Sequence, residues 1–173
     1  MALMHRGRNE VRYINLLKTF RKLWTDHVMW TRSFIISTAA NLGDLEAVTK
    51  RLLRNPTDFA DVLIIFYGRD RADKFKNLLE QHLLIAADLV NKSKAGDTRG
   101  ADEARTKWYA NAEEIAEFLA SINPYWSKSE WQRMLFEHLK LTEQEAGLRL
   151  SGKYAEDIKT YDEIENQALM MAD

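Results

Sequence analysis

Hydrophobic side chains recur three to four residues apart along almost the whole chain, which is the spacing of one face of an α-helix. In the first such stretch they run from Tyr13 through Trp24 to Ile35. No segment shows the sustained alternation of a half-buried β-strand, so no sheet is expected. The pattern predicts about six helices, over residues 9–41, 45–66, 70–91, 101–122 and 128–150 and after Gly152.

Glycine and proline are few, 7 and 2 of the 173 residues, and most of them mark turns between the predicted helices. Residues 94–100 form a polar loop. Asn55-Pro56 falls inside a predicted helix, where it indicates either a kink or a loop. We therefore predict an all-α antiparallel bundle of three helical hairpins, with a four-helix core and an added hairpin. It is expected to form a single domain, residues 1–173, with residues 1–8 as a flexible tail.

Histidine is scarce in this chain and recurs at one point of the helical pattern. Two further segments also match: residues 46–50 (EAVTK) and 103–107 (EARTK) differ only in the middle. Both observations favour an internal repeat. Three of the four histidines follow an acidic or amide residue inside an apolar stripe, about 55 residues apart, as Asp26-His27, Gln81-His82 and Glu137-His138.

Folding each hairpin about its turn places polar side chains opposite each histidine. Residues equidistant from the turn of an antiparallel helical hairpin lie at the same height along the two helices. With turns centred at about residues 42, 98 and 151 or 152, the three histidines face positions of about 57, 114 and 165. Amide and carboxylate side chains lie around all three positions: Asn55 and Asp58, Asn111 and Glu114, and Asp162, Glu165 and Asn166.

These layers have two interpretations. Imidazole nitrogen and carboxylate oxygen suit Fe, Mn, Zn or Ni, and helical bundles build metal sites from inward side chains. Alternatively, each histidine is a core residue paired with an amide or carboxylate, and duplication repeats that layer without a function. The Glu-x-x-His and His-Glu-x-x-His motifs of known metal sites are absent from the sequence. The ligands of the metal hypothesis are His27, His82 and His138, with Asp58, Glu114 and Glu165.

Composition excludes several classes of function. The formal net charge of −1 gives no electrostatic basis for binding nucleic acid. With no cysteine, the chain has no disulfides, thiolate metal sites or cysteine nucleophiles. The start lacks the apolar core of a signal peptide, and no run of 18 apolar residues occurs, so we expect a cytoplasmic protein that does not span a membrane. The motifs of serine hydrolases and phosphate-binding loops are also missing.

Five tryptophans are many for a chain of this length. Aromatic side chains at helical spacing more often pack in a core or at the end of a hairpin than line a ligand site. We therefore expect core packing for Trp24, Trp30, Trp108, Trp126 and Trp131.

Four segments resemble an uncharacterised family of small helical proteins from Firmicutes: HVMWTRSFIIS, RNPTDFADVL, HLLIAADLV and INPYW. The resemblance covers the chain from about Leu23 onward and implies a bacterial protein without assigned catalytic residues. Inward histidines on long antiparallel helices are also similar to those of ferritin-like and DinB-like bundles, several of which bind metal. The chain lacks the paired Glu-x-x-His of the ferritin-like pattern, so the similarity bears on the fold more than on the activity.

The leading functional hypothesis is a metal-binding helical bundle, with its specific activity and any enzymatic role left open. The alternative is a non-catalytic structural or interaction protein that self-associates through an apolar helix face, forming a homo-oligomer. The absence of any strong catalytic motif motivates this second reading.

Overall fold

The computed structural model describes the backbone of residues 2–173 and the side chains of residues 12–173. This part of the chain contains helices and no strand, which confirms the all-α prediction. None of these helices has a stretch long and apolar enough to span a membrane. Seven helices are present: α1 (Ala2–Ala40), α2 (Leu45–Leu52), α3 (Asn55–Tyr67), α4 (Arg69–Ala95), α5 (Thr98–Ile122), α6 (Lys128–Leu150) and α7 (Tyr154–Ala172).

The stretch predicted as one helix over residues 45–66 is divided into α2 and α3. The break consists of Leu53 and Arg54, and Pro56 lies in the first turn of α3. Proline lacks the N–H that a helix interior needs, but the first turn has no partner for that group in any case. Asn55-Pro56 therefore starts a new helix after a two-residue break.

The ends of two other helices also differ from the prediction. α1 begins at Ala2 and so includes residues that the sequence assigns to a tail, whose flexibility stays a prediction. The predicted loop of residues 94–100 shrinks to Gly96 and Asp97. Gly96 has a φ of 73°, a left-handed conformation that ends α4 at once, and the Asp97 side chain accepts a hydrogen bond from Gly100 N at the start of α5.

The helices form three hairpins arranged in a closed ring. α1 pairs with α2 and α3, α4 with α5, and α6 with α7. Each hairpin also packs on the next, through α3 with α4, α5 with α6, and α7 with α1. The first helices of the hairpins, α1, α4 and α6, all touch one another and thus form a parallel central trio. The prediction was a four-helix core to which a hairpin is added. The structure instead has three hairpins around a central trio of helices.

Two apolar clusters fill the bundle. The larger one runs along the central trio and includes Trp24, Trp108 and Trp131, so the packing expected of these tryptophans is observed. The smaller one lies where α2 covers α1 and α4, around Phe34 and Leu52. The core thus continues on both sides of the level at which the histidines lie.

A buried ion cluster joins α1, α6 and α7. The carboxylates of Glu145 and Asp157 are 1% and 0% exposed, and the Arg32 guanidinium donates hydrogen bonds to both. Arg149 adds a longer contact to Asp157, 3.4 Å from Nη1 to Oδ2. Two cations and two carboxylates therefore meet in one place, which is the normal condition for charges this deeply buried.

Candidate metal centre

Each helix of the central trio contributes one histidine to a common point in the core. His27 of α1, His82 of α4 and His138 of α6 are 1–2% exposed. Their ring centroids are 5.6 to 6.4 Å apart. One nitrogen from each ring can be chosen so that all three lie within 4.8 Å of one another. The three histidines therefore converge.

The helical pattern explains this convergence. A buried core residue precedes each histidine by three positions, so the histidine lies on the same inward face of its helix. The three helices run in the same direction, which brings the repeated positions to the same height. The preceding core residues are Trp24, Leu79 and Leu135.

Two of the histidines are held by an asparagine from the second helix of their own hairpin. Nδ1 of His27 lies 3.0 Å from Oδ1 of Asn55, whose Nδ2 donates to the carbonyl oxygen of Leu23. His82 and Asn111 repeat this arrangement at 3.0 Å, with the amide donating to the carbonyl of Leu78. In both hairpins that carbonyl belongs to the residue four positions before the histidine.

These contacts determine the tautomer of both rings. Because the asparagine nitrogen donates to a backbone carbonyl, the oxygen of the same amide faces the ring and accepts a hydrogen bond. Nδ1 of His27 and of His82 therefore carries the proton, and the lone pair of each ring lies on Nε2. Within the described part of the chain, no hydrogen bond reaches these two Nε2 atoms.

The third hairpin has a looser version of the same pair. Nε2 of Gln167 donates to the carbonyl of Met134 at 2.8 Å, and Met134 again precedes its histidine by four residues. Gln167 lies close enough to raise the pKa of His138, although burial dominates and lowers it. Nδ1 of His138 and Oε1 of Gln167 are nevertheless both buried without a hydrogen bond of normal geometry. A donor on His138 and an acceptor on Gln167 are therefore both present, but they do not form a hydrogen bond of normal geometry.

Burial keeps the three rings neutral. It lowers the pKa of His27 from 6.5 to about 4 and that of His82 to about 3. It lowers the pKa of His138 well below 6.5 as well. Neutral imidazole is the form that binds metal ions, so the rings need not lose a proton before coordination.

A small cavity lies against the three rings. Its volume is about 10 Å³, which is about the space for one water molecule or ion. Side chains on a helix lean toward its N-terminus, and the cavity lies on that side of the histidines. Apart from the histidines its lining is apolar: Trp24, Phe75, Leu79, Ile115, Leu119, Trp131 and Leu135.

The structure brings together the three predicted histidines but not the three predicted carboxylates. Asp58 accepts a hydrogen bond from Arg54 at 3.1 Å, Glu114 is exposed, and Glu165 is half-buried. None of them belongs to the group of close ligand atoms. The partner that the sequence misses is Gln167, which is 4% exposed, whereas the neighbouring Asn166 is exposed. The sequence signal for Gln167 was the expected burial of its position on the apolar face of the last helix.

No protein-family model, curated protein or solved structure matches the chain. The resemblances named from the sequence therefore stay expectations.

Proposed function

We propose that this protein binds one divalent transition-metal ion through His27, His82 and His138. The observation that carries the proposal is the convergence of three buried, neutral imidazoles, of which His27 and His82 have no hydrogen bond to Nε2 among the described residues. Buried polar atoms in folded proteins are normally paired, so acceptor nitrogens gathered at one point favour a bound partner.

A water molecule is a poor partner for this arrangement. The cavity has room for about one water. Water has two O–H groups, so it can satisfy two of the three nitrogens and leaves the third unpaired. A protonated histidine would supply a donor, but burial lowers the pKa of all three rings. A metal ion accepts all three lone pairs at once.

The donor set favours particular metals. Imidazole suits Zn, Cu, Fe and Ni, whereas Mn and Mg prefer oxygen ligands, and no carboxylate belongs to the cluster. Tetrahedral Zn–N bonds of about 2.0–2.1 Å require nitrogens about 3.4 Å apart. The chosen nitrogens of the three rings all lie within 4.8 Å of one another, a range that includes this spacing. Three protein ligands leave a fourth position open, as in catalytic zinc sites.

The amides complete the site in the way that metal ligands usually require. A ligating histidine generally donates its other N–H to a carboxylate, carbonyl or water, which fixes the orientation of the ring. Asn55 and Asn111 provide this contact for His27 and His82.

Cobalt binding tests the proposal, since Co²⁺ in a tetrahedral nitrogen site has a strong visible absorption. We expect one Co²⁺ per chain, by calorimetry and by the visible spectrum, in the wild type. His82→Leu should abolish the spectrum. Asn111→Leu should weaken binding by about 10- to 100-fold, because the ligand loses its orientation. Metal at about 100 times its Kd should raise the free energy of unfolding by about 2.7 kcal/mol.

The matched control is Gln81→Leu, which alters the exposed neighbour of His82 and should leave cobalt affinity unchanged. Equal cobalt binding by the wild type and His82→Leu, or sub-stoichiometric binding by the wild type, would contradict the proposal.

The alternative, a protein that self-associates through an apolar helix face, stays a prediction. One observation favours it: the neighbouring side chains of Ile65 and Phe66 on α3 are 75% and 54% exposed. Isolated apolar side chains at a surface are common, so this pair is weaker evidence than the histidine cluster. Sedimentation velocity over a range of concentrations decides it, and a strict monomer would rule it out.

A further inference from the structure

A larger pocket lies directly beyond the histidine cavity, toward the N-terminal ends of the central helices. Its volume is about 300 Å³. Four side chains line both spaces, so a single layer of side chains separates the pocket from the histidines: Trp24, Phe75, Leu119 and Trp131. Another cavity, of about 250 Å³, shares no lining residue with the histidine cavity. The first pocket is therefore the one continuous with the open side of the site.

Aromatic rings and methionine side chains form most of the wall of this pocket. Seven of its lining residues are aromatic and three are methionines. The rings pack edge to face on one another, as Trp24 does on Phe59 and Trp126 on Trp131. Such walls present ring faces and edges and adaptable thioethers to a guest, and these favour flat aromatic molecules.

The charge and the volume of the pocket further restrict the kind of molecule that it can bind. Among the described side chains, residues 12–173, the charged residues that line the pocket are the acidic Glu130 and Asp173, which disfavour an anion. Asp173 is already paired with Arg21 at 2.9 Å. An apolar cavity of about 150 Å³ holds benzene. A pocket of twice that volume fits an uncharged molecule of about two rings.

We propose that this pocket binds a small uncharged aromatic molecule, one of whose atoms ligates the metal at its open position. The inference rests on the proposed metal centre, whose three histidines leave that position free on the side of the shared wall. Movement of one of the four shared side chains would join the two spaces.

The probe for the test is 4-phenylimidazole, which combines a phenyl ring with a metal-ligating nitrogen. Added to the Co²⁺-loaded wild type, it should bind by calorimetry and change the visible spectrum of the cobalt. Met170→Trp should weaken this binding by at least about tenfold, because Met170 lines the pocket, is 64% exposed, and a larger ring there covers the mouth. The matched control is Ile65→Trp, which adds the same ring at an exposed position outside the pocket.

Each outcome bears on one proposal. Binding with a spectral change that Met170→Trp weakens and Ile65→Trp does not supports the inference. If Met170→Trp and Ile65→Trp bind 4-phenylimidazole equally, or if the probe binds without changing the cobalt spectrum, the inference is overturned. The cobalt titration without probe tests the metal centre separately: if cobalt does not bind, the proposed function fails. If cobalt binds but 4-phenylimidazole does not, only the pocket inference fails.

Discussion

The bundle contains two buried polar clusters that differ in how far they satisfy their own atoms. In the ion cluster, Arg32 binds both Glu145 and Asp157, and Arg149 also reaches Asp157. Each of its four side chains has a hydrogen-bond partner within the cluster. The cluster holds α1, α6 and α7 together, and its side chains bind one another rather than a ligand.

The histidine cluster is satisfied only on its outer side. Asn55 and Asn111 fix the Nδ1 atoms of two rings, while Nε2 of the same rings has no hydrogen bond among the described residues. A polar cluster that serves structure alone loses stability by leaving acceptors unpaired, because each such group costs about 1–3 kcal/mol. Incomplete hydrogen bonding directed at one point is therefore the feature of the histidine cluster that supports the proposed metal site, and the ion cluster lacks it.

The pH dependence of the metal-free protein separates the two clusters, because they respond in opposite directions. The histidines have lowered pKa values in the folded state, about 4 for His27 and about 3 for His82, so between 6.5 and 4 only the unfolded chain binds their protons. Their contribution to stability is therefore lost as pH falls below 6.5. Burial raises the pKa of Glu145 from 4.5 to about 7, so here the folded state holds the proton and stability rises as pH falls from 7 to 4.5.

Three histidine protons against one carboxyl proton leave a net uptake of about two on unfolding. The free energy of unfolding should therefore fall by about 3 kcal/mol per pH unit at its steepest, or about 5 kcal/mol between pH 6.5 and 4.5. Urea titrations in the presence of a chelator measure it. Glu145→Gln removes the opposing proton and should steepen the slope to about 4 kcal/mol per unit. A flat profile would show that the rings titrate in the folded state and are not buried as described.

Removing a charge from the ion cluster should damage stability and spare metal binding. Arg32→Leu leaves Glu145 and Asp157 buried with less compensation, which should cost about 3–5 kcal/mol. Arg99→Leu is the control, since it breaks an exposed pair with Glu103 worth about 0.3–0.5 kcal/mol. Cobalt affinity, measured below the midpoint of unfolding, should be the same in both variants. A large loss of cobalt affinity in Arg32→Leu would mean that the clusters are not independent.

The sequence was sufficient for the helices and for two of the three histidine partners. The helical period is strong in every element, and reflection about the turns led to Asn55 and Asn111 because these hairpins are nearly symmetric. The meeting of the three histidines was not predictable, since it depends on the order in which hairpins close into a ring. That order is set by contacts between distant residues, which leave no periodic signal.

The errors in the third layer and in the ligand set have a similar origin. Reflection placed the partner of His138 at about residue 165, but the residue beside it is Gln167. The turn centre was assumed about one residue too early, and reflection doubles such an error. Asp58 and Glu114 each lie three residues after the amide, about 60° away around the helix, which turns them out of the interface. The ion cluster was missed because Arg32 and its partners are 113 and 125 residues apart.

The smallest expected effect is the difference in stability between variants of two histidines within the site. His27→Leu leaves the fully buried Asn55 amide oxygen without its donor, which should cost about 1–3 kcal/mol. His138→Leu removes a ring whose Nδ1 has no partner, beside a Gln167 oxygen that is already unpaired, so the loss should stay below about 1 kcal/mol. Both variants should lose cobalt binding alike, because each removes one ligand of three. Chemical denaturation in chelator and cobalt titration measure the two quantities separately. Equal losses of stability would mean that His138 and Gln167 are hydrogen-bonded in the metal-free protein as well, and that the third layer is as closed on its outer side as the other two.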